Sequence, residues 1–125
     1  MNPVDYVESV KERLATDSFV VSFEIIREFA NLNEGFLRVR ATLTNDDILD
    51  LSEFVKQETE LEVISYRYQW LDKNKRHIRR WDNALHYPKL KNFPHHIHVS
   101  EEDVISGKPI DIFGVLDEIG KTMKP

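Results

Sequence analysis

The chain has no cysteine. Disulfides, thiolate metal sites and a cysteine nucleophile are therefore excluded, and nothing points to an oxidising compartment. Glycine is scarce as well, four in 125 residues, and they build no Gly-rich phosphate loop. There is no serine elbow and no His-Glu-x-x-His helix, so the familiar nucleotide, hydrolase and zincin readings lack support. No segment approaches the ~20 apolar residues of a membrane span. The opening "MNPVDYVESVKERL" has no basic flank and no continuous apolar run, so it does not read as a signal peptide. The expectation is a soluble cytoplasmic protein, one domain over residues 1–125, large enough to bury a core without staples.

What is present is unevenly spread. The formal net charge is −5, yet Arg67 to His98 holds eight Lys/Arg (Arg67, Lys73, Lys75, Arg76, Arg79, Arg80, Lys89, Lys91) against Asp72 and Asp82. That segment is +6 and the remainder is −11. All five histidines, 77, 86, 95, 96 and 98, lie inside it. A basic segment on an acidic body can steer a polyanion, because local field rather than net charge governs encounter. A solvated charged hairpin would show the same asymmetry.

Periodicity gives the scaffold. Pro3 to Ala15 reads as a helix, with Val4, Val7, Val10 and Leu14 at helical spacing and Asn2-Pro3 as a start signal. Ser18 to Phe29 alternates, with Phe19, Val21, Phe23, Ile25 and Phe29 expected on one face. Phe36 to Leu43 alternates again, and Arg38 and Arg40 are expected to pair with acids of the preceding strand. "NDDILDLSEFVKQE" fits a helical face or a strand interrupted by Glu53; a short turn at Asn45–Asp47 favours the strand. Glu62 to Trp70 is a strand with Ile64, Tyr66, Tyr68 and Trp70 on one face. In Arg76 to Asn83, His77, Arg79 and Trp81 oppose Ile78, Arg80 and Asp82. Pro88 and Pro94 bracket a basic loop, since proline cannot join a central ladder. In His96 to Val99 the pair His96 and His98 opposes Ile97 and Val99. Asp111 to Met123 is a closing amphipathic helix. The fold expected is α+β: an antiparallel meander of five to six strands with an N-terminal and a C-terminal helix on one face.

Three constellations carry chemistry. Imidazoles at i and i+2 on a strand, His96 and His98, share a face and can hold a metal with a third ligand, His86 or Asp82. The same residues suit metal-free RNA cleavage. Attack by a 2′-hydroxyl needs a base, an acid for the leaving 5′-oxygen and positive charge on the phosphate. His86, His95, His96 and His98 are the proton-transfer candidates, and Arg79 and Arg80 the phosphate holders. Tyr66, Tyr68, Trp70 and Trp81 offer platforms for bases and Lys89 and Lys91 further charge, although a row such as Tyr66, Tyr68 and Trp70 at period two is more often core. Asp82 orients an imidazole or caps the loop with Asn83.

The strand "YRYQW", followed by "RRWDNALHYP", "FPHHIHV" and "DIFGVLDEI", with "GFLRVRATLT" upstream, resembles the TumE-type toxins of bacterial and archaeal toxin–antitoxin pairs. In that pattern Y-x-Y-x-W precedes RWDNAPHHP and FPHHKHV. The resemblance covers about Gly35 to Ile119. Leu85 stands where the pattern has proline, Tyr87 where it has histidine and Ile97 where it has lysine. The resemblance implies a toxin held by a cognate antitoxin, commonly a DNA-binding protein.

The resulting expectation is a metal-independent RNA-cleaving toxin of a type II pair, without a cofactor. Its partners would be RNA and the antitoxin, with a homodimer possible. One rival is a binding module with no catalysis. The other is a metal-dependent hydrolase using His86, His96 and His98.

Overall fold

The computed structural model describes residues 1–123. The chain runs α1 (Pro3–Thr16), β1 (Val20–Ala30), β2 (Glu34–Leu43), β3 (Ile48–Gln57), β4 (Leu61–Leu71), β5 (His77–Asp82), β6 (His96–His98), β7 (Val104–Ser106), α2 (Ile112–Met123). The seven strands form one antiparallel sheet in sequence order. The α+β meander with two helices matches expectation. The strand count is higher because the three-residue Val104–Ser106, which shows no alternation of its own, pairs with β6.

Helix α1 begins where the sequence marks it: Asn2 Oδ1 accepts the Asp5 amide at 2.8 Å, capping an otherwise unpaired donor. Tyr6, Val7, Val10 and Leu14 face the sheet, while Val4 is 39 % exposed rather than part of that stripe. Helix α2 is opened by Asp111, whose Oδ1 accepts the Gly114 amide at 3.0 Å. It buries Ile112, Val115, Leu116 and Ile119. Both helices join a core with Leu37, Val39, Ala41 and Leu43 of β2, Leu49, Leu51 and Val55 of β3, and Tyr66, Tyr68, Trp70 and Trp81.

Register shifts correct three expectations of facing. In β1, breaks between Val20 and Ser22 and between Ile25 and Arg27 reset the alternation, so Val21 is 64 % exposed and Phe29 turns to the helix-free face beside Phe36. A bulge inserts one residue and flips every side chain beyond it. In β4, a shift opposite Phe54 and Val55 puts Val63, not Ile64, against Val55. At the start of β5, the shift between Trp70 and Leu71 lets Ile78 pack against the core. Arg38 and Arg40 do oppose an acid, but it is Asp50 of β3, at 3.1 and 3.2 Å. The β1 acids are not their ion-pair partners.

The interruption in β3 is a carboxylate set in the core. Glu53 is 2 % exposed and faces the helices. It accepts from the Tyr6 hydroxyl at 2.9 Å, from the Tyr68 hydroxyl, and from the Ile112 amide at 3.3 Å. One side chain thereby links α1, β3, β4 and α2. Burial pushes its carboxyl up to about 7, against the opposing pull of those hydrogen bonds.

Because the folded carboxyl binds its proton more tightly than the unfolded one, stability is highest below about pH 4.5 in this respect and falls as pH rises to about 7. The full effect is about 3 kcal/mol. His95 and His98, whose pKa values are lowered by burial, act oppositely, adding stability as pH rises towards 6.5. Comparing variants isolates Glu53: urea unfolding at pH 5 and pH 8 should show Glu53→Gln losing far less stability between the two than wild type. Parallel losses in both proteins would remove Glu53 as the source.

Candidate functional site

Strands β5 and β6 are paired as Arg80↔His98, Trp81↔Ile97 and Asp82↔His96. The middle pair is apolar and faces the helices; Trp81 is 1 % exposed. Alternation then sends Arg80, Asp82, His96 and His98 together to the helix-free face. Gly107 lets the following segment close over β6, since a Cβ there would lie 2.9 Å from Ile97 Cγ1.

Asp82 is the hub. Its Oδ2 accepts Arg80 Nε at 3.0 Å, and its Oδ1 accepts the Ala84 amide at 3.1 Å. His96 Nε2 stands 2.7 Å from Oδ1, a contact of ion-pair length too bent for a hydrogen bond. His98 Nε2 is 3.5 Å from Oδ2. Arg80 Nη2 donates to His98 Nε2 at 2.9 Å.

These contacts fix protons. A guanidinium only donates, so His98 Nε2 carries a lone pair. A carbonyl only accepts, so His96 Nδ1, 2.8 Å from the Pro94 oxygen, carries a hydrogen. Burial, then the neighbouring Arg80 charge, lowers the His98 pKa, with Asp82 opposing. His98 is therefore a neutral imidazole at neutral pH, its basic nitrogen held by an arginine.

The loop between β5 and β6 covers this cluster with Tyr87, not His86. The Tyr87 ring centroid is 5.1 Å from that of His96 and 6.0 Å from that of His98. Its backbone is left-handed at φ 59°, a conformation that costs an ordinary residue about 1–3 kcal/mol. His86 is exposed and touches the ring of Tyr87. On one flank the cluster opens into a polar cleft of about 440 Å³, lined by Arg80, His98, Tyr87, His77, Lys75 and Gln69 among others. His77, unmarked in the sequence reading, bonds the His98 carbonyl at 2.9 Å.

The remaining candidates lie elsewhere. His95 faces the helix side, 2.8 Å from the Tyr66 hydroxyl and stacked on its ring. Tyr68 is fully buried against Glu53, and Tyr66 is 6 % exposed. With Trp81 they belong to the core, so none offers the exposed face a base platform needs. Arg79 lies over Trp81, 5.9 Å from its ring, beside α2. Lys89 and Lys91 are exposed on the loop.

Among the described residues, Asp82, His96 and His98 also bring three possible ligand atoms within 4.8 Å of one another. This is a two-histidine, one-carboxylate set of the kind that holds a divalent transition metal. Of the two residues expected to complete the set, Asp82 stands with the histidines and His86 does not.

The chain belongs to the TumE toxin family: the family model described as "Toxin TumE" matches residues 10–123. That span includes the whole sheet, the site and α2. No curated protein and no solved structure matches the chain. Membership of a toxin family brings an antitoxin partner with it. Among the described residues no helix is long and apolar enough to cross a membrane.

The Arg80–His98 contact has a measurable consequence. Replacing Arg80 with Gln removes a charge that disfavours the imidazolium, so the His98 titration midpoint should move up. Ring-nitrogen NMR across pH 4–9 reads both the midpoint and the Nδ1–H tautomer. An unchanged midpoint would show that burial alone governs His98.

Proposed function

We propose that this toxin is a metal-independent endoribonuclease whose site is Arg80, Asp82, His96 and His98. The observation that carries the reading is the convergence of these four side chains within hydrogen-bonding reach on one sheet face. Neutral His98, reachable from the polar cleft, takes the 2′-hydroxyl proton on Nε2 as Arg80 leaves that nitrogen for the phosphate, an anion that a metal ion would not offer it. The 2′-oxygen attacks phosphorus and the 5′-oxygen leaves, giving a 2′,3′-cyclic phosphate. Arg80 holds the crowded phosphate as charge builds on it. His96, backed by Asp82, protonates the departing 5′-oxygen once Tyr87 is displaced from above it. Asp82 positions Arg80 and His96. His86 and His95 have no part in these steps. The antitoxin, a DNA-binding protein, blocks the site by binding the toxin.

A second reading draws on the unpartnered, buried Nε2 of His96. With Asp82 and His98 it would ligate a divalent transition metal and support metal-dependent hydrolysis. The Pro94 carbonyl bond to Nδ1 is the outer contact such a ligand uses. Arg80 opposes this reading, because its guanidinium already occupies the lone pair of His98.

An RNA-cleavage assay in excess EDTA separates the two. Wild type is expected to cleave, and His96→Ala/His98→Ala to be slower by about 10²-fold or more. Equal activity in the double variant sinks the assignment. Stoichiometric zinc, nickel or manganese in the purified protein, with activity lost in EDTA and restored by that metal, selects the second reading. Salt-sensitive RNA binding with no product at any protein concentration leaves a binding module.

A further inference from the structure

The strand register extends the site across the sheet. On the helix-free face His96 pairs Asp82, Asp82 pairs Arg67, Arg67 pairs Ser52, Ser52 pairs Arg38 and Arg38 pairs Arg27. One straight row thus runs from the site to the far edge of the sheet. It covers five strand spacings, about 24 Å. Between β1 and β4 it carries three arginines and no acid.

A second row lies beside it, two residues along each strand, ~6.8 Å away. It reads Phe29, Phe36, Phe54 and Ser65. Phe29 and Phe36 stack at 6.3 Å, and Arg27 lies over Phe36 at 5.9 Å. Phe29 is 40 % exposed, and Phe36 and Phe54 are half-buried; Lys56 Nζ lies 6.0 Å from the Phe54 ring centre, a flexible cation that an incoming base would displace towards its phosphate. Between this row and the loop after β5 lies a groove of about 540 Å³, with Phe36, Phe54, Ile64 and Arg67 on the sheet side and Leu85 and Pro94 on the loop side.

We propose that single-stranded RNA crosses the strands on this face, its bases on Phe54 and Phe36 and its phosphates on Arg67 and Arg38, leading to Arg80 and His98. The proposal rests on the ribonuclease reading and supplies its substrate track. Paired rows of aromatics and arginines are the recognition chemistry of single strands: rings accept any base by stacking, and guanidinium groups follow the backbone. Asp50 neutralises part of the charge, since both Arg38 and Arg40 bond it. Glu24, across from Arg40, offsets more of it, yet in the Arg38 and Arg40 rows from β1 to β4 four arginines (Arg27, Arg38, Arg40, Arg67) face two acids, and Arg38 and Arg40 are 41 % and 48 % exposed. A duplex is disfavoured, because its bases are already stacked on one another and offer these rings no free face.

The test measures binding of a labelled single-stranded RNA of about 16 nucleotides at several salt concentrations, alongside cleavage. Phe54→Ala and Phe54→Leu should each weaken binding about tenfold or more, the leucine variant keeping the apolar surface while losing the π-face. Arg38→Gln/Arg67→Gln should flatten the salt dependence, lowering the slope of log K against log salt by about 1.4. Thermal melting checks that each variant is folded. If wild type binds and cleaves RNA and these variants do so equally well, the track is overturned while the ribonuclease reading stands. If wild type neither binds nor cleaves RNA, both fall. If the variants keep RNA affinity but escape neutralisation by co-expressed antitoxin, the face belongs to that protein and the track is overturned.

Discussion

Everything chemical in this protein depends on one short piece of pairing, the three-residue strand His96–His98 against Arg80–Asp82. Trp81 and Ile97 hold it from the helix side, where burying an aromatic ring is worth more than any single contact on the other face. The polar neighbours have no choice of side once that pair is buried. A shift by one residue would put Asp82 and the two imidazoles into the core and Trp81 into water. The site is thus fixed by an apolar contact on the opposite face of the sheet.

A similar economy governs polar groups within the core. Glu53 is desolvated, and its four-element hydrogen-bond set partly offsets that cost. Asp47 plays a smaller part of the same kind, accepting Trp70 Nε1 at 2.9 Å. Buried carboxylates with specific donors restrict how strands and helices can slide past one another, whereas an all-apolar seam tolerates several registers. The two tyrosines that the sequence offered as base platforms are instead partners within this frame: Tyr68 for Glu53 and Tyr66 for His95.

Much of the architecture was legible. The helix start at Asn2-Pro3, the β3 assignment despite Glu53, and the shared face of His96 and His98 all follow from periodicity and capping chemistry. The bulges were not, because inserting one residue leaves no mark in a two-residue alternation. They explain Val21, Phe29, Val63 and Ile78. The loop from Asn83 to His95 was legible only as irregular. That Tyr87 rather than His86 closes over the imidazoles follows from a left-handed backbone at Tyr87, which no periodicity encodes. Tyr87 was nonetheless flagged, as a departure from the family pattern. His77 and Arg67 were marked only as members of the basic, histidine-rich segment: one bonds a strand carbonyl, the other meets the site through a register three strands long.

The sequence by itself determined the class of the chain: a charged α+β meander with its histidines and basic residues in one segment and the motif order of a toxin family. Local spacing was enough for this, since strand and helix periods are properties of neighbouring residues. Tertiary structure alone decided which of these residues meet. Arg80 and not Arg79, Asp82, His96 and His98 but neither His86 nor His95, converge because pairing between strands selects partners far apart in sequence. A repeat of two gives each residue a side, and only the register gives it a neighbour.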